Sequence, residues 1–415
     1  MRHMLRFWKQ SHFVAVMGIA AGLSLVRGFA AAAILIPVEF GIYALIVAVG
    51  SFLSSPLGLG RIEATRKSFP RLFVDGRIDE VVNITDRVTY ILARRVTLAT
   101  LAALGVSIAL GHHGWAFPIV LMGGVAFALG WNVLLASAQR ASPRLYHLGA
   151  TTLLRAVLAL GLGVAGAFQW GWEGIGIAEV VAAMIGNVIA RLLLRRSFAP
   201  RPDGRILPAP VEANTRTGRD GLMLFIAFMA LSVPMYLGRA YVAAAFDAFA
   251  LGQFSFLMLF VTAAATVVSI LDQRIGPQLM RLERNGAPYP ERLRHLLRWC
   301  SLVAAFLAGV MMIGTALILL GPLDIYAGRY ALDLSLFLPI ILLGVVQIST
   351  TFDWMLQSGN QERQILSLSA VFLGVAILGA AAVAGLGWTL AAFIWSLAIA
   401  KLLHIGLQLR LILSP

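Results

Sequence analysis

Ionisable side chains interrupt the apolar runs of this 415-residue chain, among them Arg27, Arg155, Glu179, Arg239, Asp353 and Lys401. A charge at the centre of a bilayer costs about 2.5–3.5 kcal/mol on insertion scales, so each needs a partner, water or a ligand. Guanidinium groups present forked N–H donors that match phosphate oxygens. Arg27 and Arg239 are therefore candidate anion-binding residues, with Arg155 and Lys401 extending the positive lining. Glu179 and Asp353 could neutralise an arginine in one conformational state or hold a coupling proton. Each has a plainer reading. Arg27 and Arg239 could snorkel to the nearer interface. Arg155, about 10 Å from its helix end at 1.5 Å per residue, snorkels at least as readily. Lys401 could pair with a neighbouring helix, and Asp353, close to the end of its run, reads as a solvated helix terminus.

Other chemistry is poorly supported. Paired carboxylates, nucleophile–base pairs and phosphate-cradling glycine loops are missing from the loops, so no catalytic residue and no enzyme are expected. His112 and His113 sit in a short loop without a carboxylate or Cys at ligand spacing, and the lone Cys300 cannot build a cluster, so no metal or cofactor is expected.

The elements carrying these charges follow from composition. Sixty per cent of residues are hydrophobic and 13% charged, with mean hydropathy +0.86. Soluble domains run nearer about 45–50% apolar and about 25% charged, so the chain reads as an all-α polytopic membrane protein. Twelve apolar runs are long enough to cross a bilayer: 13–36, 40–60, 88–110, 115–137, 148–168, 172–194, 220–245, 249–271, 296–320, 334–357, 365–386 and 388–411. The first follows the basic leader "MRHMLRFWKQSH" and continues past the small residues of "AAAA", so it reads as a retained helix rather than a cleaved signal.

The net charge of +14 is consistent with this layout. Arg and Lys fill the N-terminus and the loops 61–87, 138–147, 195–219, 272–295 and 358–364, whereas the alternate loops hold only Arg329. That asymmetry predicts cytoplasmic N- and C-termini. Without a basic stripe interleaved with aromatics, nucleic acid is not an expected partner; membrane lipids are. The loop 61–87 should contain an amphipathic, interfacial helix; its plainer reading is a solvated connector anchored by anionic head groups. Trp115, Trp170, Trp172 and Trp388 mark span ends, Gly161, Gly163 and Gly166 suggest close helix packing, and Pro234 suggests a kink in the seventh span.

The chain repeats itself. "EFGIYALIVAVGSFLSSPLGLG" (39–60) is echoed by "FALGQFSFLMLFVTAAATVVSIL" (249–271), placing Gly41 and Gly252 211 residues apart. Pro118 matches Pro339 and Gly123 matches Gly344, and Arg239 falls one residue from the counterpart of Arg27. Residues 1–196 and 220–415 read as two six-helix bundles in tandem, with 197–219, rich in Pro and Arg, as a cytoplasmic linker. Two parallel repeats of this kind imply an axis along the membrane normal and a central cavity at their interface.

"PVEFGIYAL", "GLGRIEATRKSFPRL", "LLASAQRASPRL" and "GWEGIGIAE" resemble the polysaccharide flippases of the multidrug/oligosaccharidyl-lipid/polysaccharide exporter superfamily. The resemblance implies a bacterial inner-membrane protein that moves polyprenyl-diphosphate-linked oligosaccharide, an O-antigen or lipopolysaccharide precursor, from the cytoplasmic to the periplasmic face by alternating access. It also implies glycan polymerase and glycosyltransferases as functional partners. One alternative is a cation-coupled drug or small-molecule exporter, although the first span then carries Arg27 where an acid is expected. A second is a membrane-bound glycan polymerase or glycosyltransferase, for which no large outer loop or carboxylate cluster is present.

Overall fold

In the computed structural model of the chain, residues 2–58, 60–74, 77–142, 145–196, 216–284, 286–358 and 361–413 are described, and all regular structure among them is helical. The helices are α1 (Arg2–Ile34), α2 (Pro37–Ser54), α3 (Arg61–Val74), α4 (Ile78–Ala109), α5 (Ala116–Ala141), α6 (Leu145–Arg196) and α7 (Arg216–Ala245). They continue as α8 (Ala248–Arg284), α9 (Tyr289–Leu319), α10 (Asp324–Tyr330), α11 (Leu334–Val345), α12 (Ser349–Ser358), α13 (Glu362–Leu386) and α14 (Leu390–Leu413). Most of the 197–219 segment lies outside the described residues.

Among the described residues eleven helical stretches are long and apolar enough to cross a membrane. The chain is a multi-pass membrane protein. One stretch accounts for two of the expected spans. At 1.5 Å per residue the 52 residues of α6 would extend about 78 Å, more than twice the hydrocarbon thickness. Trp170 and Gly171 leave helical geometry inside it, Gly171 with φ 58° and ψ −138°. Gly166 and Gly174 then meet backbone to backbone, which a continuous helix across the seven residues between them would forbid. The chain therefore reverses there, and the spans expected at 148–168 and 172–194 are the arms of one helical hairpin with no intervening loop. Gly166 serves the close approach foreseen for it; Gly161 faces open space.

Two compact units result, Met1–Ile34 with Tyr43–Phe225 and Leu35–Ile42 with Ile226–Pro415. In the first, α1 lies on α6, α5 lies between α4 and α6, and α3 lies against α4 and α5. Much of the basic 61–87 stretch is helical: α3 fills its start and α4 begins ten residues before the expected span. The amphipathic helix expected there is present as α3, and its apolar face meets protein. Ile62, Phe69 and Leu72, spaced along one face, are buried against Val81, Trp131 and Leu194, because three helix ends offer an apolar surface that lipid would otherwise cover.

In the second unit α8 packs on α9, α11 and α12, and α14 on α11 and α13. The counterpart of α5 is broken: α11 passes through a single 3-10 turn, Val346–Ile348, into α12. Pro234 lies inside α7, which continues through it without interruption.

The repeated glycines meet inside this second unit. A Cβ on Gly41 would lie 2.9 Å from the Gly252 nitrogen, and one on Gly252 would strike the Pro37 carbonyl. Neither neighbour is a side chain that could swing aside, so the first turn of α2 and that of α8 require a missing Cβ on both. Gly252→Ala should cost about 1–3 kcal/mol by overpacking, read as a lowered unfolding midpoint in detergent. Gly105→Ala, where nothing lies within 4 Å, should be neutral or slightly stabilising.

Candidate functional site: two buried charge clusters

The first cluster draws one side chain from each of α1, α2 and the two arms of α6. Arg27 Nη1 pairs with Glu179 Oε2. Their side chains are only 18% and 13% exposed, so Arg27 does not reach out to an interface. The Tyr43 hydroxyl donates to the Glu179 carboxylate, and Arg155 interacts electrostatically with both Glu179 and Arg27. The glycines of α6 make room for these long stems: the Arg27 methylenes run past Gly163 and those of Arg155 past Gly186. Arg27 Nε and Arg155 Nη1 are buried without an acceptor. Arg155 Nη1 is buried in protein rather than extended to an interface. Two guanidiniums facing one carboxylate leave one formal positive charge in excess.

The second unit contains two features. Arg239, on α7, is 9% exposed. Its Nη1 reaches only the Met235 carbonyl, 3.4 Å away in its own preceding turn, and its Nε has no acceptor. Among the described residues no carboxylate pairs with it.

Asp353 and Lys401 anchor the other feature. The expectation of a solvated terminus for Asp353 is overturned: it is 3% exposed, because α14 covers that end of α12. Gln408 Nε2 donates to Asp353 Oδ1 at 2.7 Å. Lys401 is buried, electrostatically coupled to Asp353, and its Nζ lies 5.0 Å from the centroid of the Phe372 ring. For Lys401, α13 thus supplies an aromatic face and α12 a carboxylate that acts on it electrostatically. His404 Nδ1 lies 3.2 Å from the Leu368 carbonyl oxygen. Beside them Asp272 on α8 accepts hydrogen bonds from Thr351 at 2.6 Å and Thr350 at 3.0 Å.

Tyr43, Asp272, His404 and Gln408 were not singled out from sequence. A signal existed for two of them, since Lys401, His404 and Gln408 follow i, i+3, i+7 spacing and so share one helix face. Asp272 sits at the boundary of a span and reads as a loop residue until α8 is seen to continue to Arg284. A surface pair also fastens α4 to the end of α6: Asp86 accepts from Arg191 Nε at 3.0 Å and Arg195 Nη2 at 2.6 Å. Half-exposed pairs of this kind contribute little stability. Among the described residues no group of three His, Cys, Asp or Glu could hold a metal ion.

The fold is that of MATE transporters, as defined by solved structures of that class. The chain is similar to the MATE multidrug transporter DinF-BH, with TM-score 0.64, 17% identity and coverage of 96% of this chain and 94% of that one. It is similar to a Vibrio cholerae MATE transporter with TM-score 0.60, 17% identity and 98% coverage of both chains. An inward-facing multidrug resistance MATE transporter of the MOP superfamily superposes with TM-score 0.56 at 15% identity, covering 96% of this chain and 93% of that one. No family model matches the sequence, and no curated protein does.

Proposed function

We propose that this protein is a MOP-superfamily membrane transporter acting by alternating access, in a bacterial inner membrane with both termini cytoplasmic. Its cargo is a lipid-linked oligosaccharide carrying a diphosphate. The observation behind the cargo is the excess of buried positive charge. Arg27 and Arg155 share one carboxylate, and Arg239 has none among the described residues. A chain that keeps arginines buried at a cost of several kcal/mol gains most from a ligand that brings the missing negative charge. The membrane potential, negative inside, assists outward transfer: two charges crossing the full field gain about 4–5 kcal/mol per 100 mV. In the first unit the diphosphate would contact Arg27 and Arg155, with Glu179 as their charge partner; in the second, Arg239 and Lys401 are further candidate cations, with Asp353 as the nearby acid. Glycosyltransferases and a glycan polymerase would act before and after the transfer.

Cation-coupled export of a drug or small molecule is the second reading, and the solved structures of this fold favour it, since those with a stated cargo class are multidrug transporters. The carboxylates of Asp353 and Asp272 would then hold the coupling cation. One experiment separates the two. In cells dependent on this chain for glycan display, the double variant Arg27→Ala/Arg239→Ala should abolish surface glycan while the protein remains folded in the membrane. Normal glycan display together with ion-dependent drug efflux would favour the exporter.

A further inference from the structure

We propose that Glu179 is a built-in counter-ion, occupying the anion site of the first unit until a diphosphate displaces it. This rests on the anionic-cargo reading and adds how that site is regulated.

The first cluster is complete as a charge pair and incomplete as a hydrogen-bonding site. Glu179 takes one N–H of Arg27 and the hydroxyl of Tyr43. Arg27 Nε and Arg155 Nη1 stay buried with no acceptor. Buried polar groups are ordinarily satisfied, so two orphaned N–H donors on adjacent guanidiniums point to a ligand rich in acceptors. One carboxylate cannot satisfy both arginines; a diphosphate, with several oxygens and at least two negative charges, can.

Among the described residues, Glu179 is the one acid that acts on both arginines. The face of α5 against this arm of α6 is apolar, with Leu121 over Gly176 and Val180 over Gly124. From α1 comes Arg27, from α2 Tyr43, and from the first arm of α6 Arg155; Glu179 is the only acid among them. Its carboxylate therefore mimics the cargo, and the geometry couples arrival of one anion to release of the other. Tyr43 acts as a positioning residue: its hydroxyl gives Glu179 a second partner on α2.

Glu179→Gln keeps the side-chain shape and an acceptor for Tyr43 while deleting the competing charge. In purified full-length protein in lipid nanodiscs, the affinity for farnesyl diphosphate should rise at least about tenfold, close to 1.4 kcal/mol. Turnover with the lipid-linked cargo should fall, because nothing displaces the diphosphate on release. Inorganic pyrophosphate, measured in parallel, should show the same direction of change with weaker binding. Tyr43→Phe, which only loosens Glu179, should raise farnesyl diphosphate affinity about threefold, and it carries the test if Glu179→Gln is poorly folded. A merely structural pair predicts lower stability and unchanged or weaker binding in both variants, and that result overturns the counter-ion role while leaving the cargo reading in place. Failure of wild-type protein and both variants to bind either probe overturns the cargo reading and the counter-ion with it. Tight binding of pyrophosphate without binding of farnesyl diphosphate would assign the site to a free phosphate and overturn the lipid-linked form.

Discussion

Replacing Asp353 with Ala is expected to destabilise the protein by about 3–5 kcal/mol, the range found when one partner of a buried charge pair is removed. The reasons are on three helices. Asp353 is 3% and Lys401 4% exposed, so water does not compensate either. After the substitution Lys401 would keep only the face of Phe372, 5.0 Å from its nitrogen, and a ring quadrupole returns about 0.5–2 kcal/mol. Gln408 would also lose the acceptor it holds at 2.7 Å. The double variant Asp353→Asn/Lys401→Met, which removes both charges and leaves Gln408 an acceptor, should recover most of the loss, because pairs replaced as pairs are often neutral. The check is thermal unfolding in detergent followed by tryptophan fluorescence, to which Trp354 adjoins the site. An unfolding midpoint unmoved by Asp353→Ala would mean that Lys401 is already neutral in the folded protein.

Gly174→Leu is expected to cost at least about 3 kcal/mol, at or beyond the upper end for overpacking, and to leave little monodisperse protein after solubilisation. A Cβ at Gly174 falls on the backbone of Gly166, and one at Gly166 falls on the backbone of Gly174. Both strands of contact are main chain, held in register by the reversal at Trp170 and Gly171, so neither can yield as a side chain would. Separation of the arms would also pull apart Arg155 and Glu179, which lie on opposite arms. Gly161→Leu, on the first arm with nothing within 4 Å, is the matched control and should solubilise as the parent does. Equal yields for the two variants would show that the hairpin arms are not packed this closely.

These two positions show how unevenly the molecule could be read in advance. The membrane class and the apolar runs were legible because hydropathy acts over some twenty consecutive residues, a local property that packing does not alter. The repeated Gly41 and Gly252 were legible as a pattern, and so was the presence of charges inside spans. Their partners were not. Arg27 and Glu179 are 152 residues apart, and Asp353 and Gln408 are 55 apart; no local rule links such positions. For Asp353 the local rule misled, since distance from a helix end says nothing about which neighbouring helix covers that end. In the basic 61–87 stretch an amphipathic helix was legible, but not that the apolar face of α3 would pack on α4, α5 and α6.

Sequence alone determined that this chain enters the membrane repeatedly, that its two halves echo one another, and that charged side chains must be sheltered within its spans. Those conclusions follow from transfer free energy and periodicity, which each segment carries by itself. Tertiary structure decided which carboxylate meets which cation, that α6 folds back on itself through a glycine, and that Lys401 and Asp353 are enclosed rather than solvated. The physical reason is that a buried charge is settled by whatever the opposing helix presents, and opposition in space is set by packing across many residues of chain.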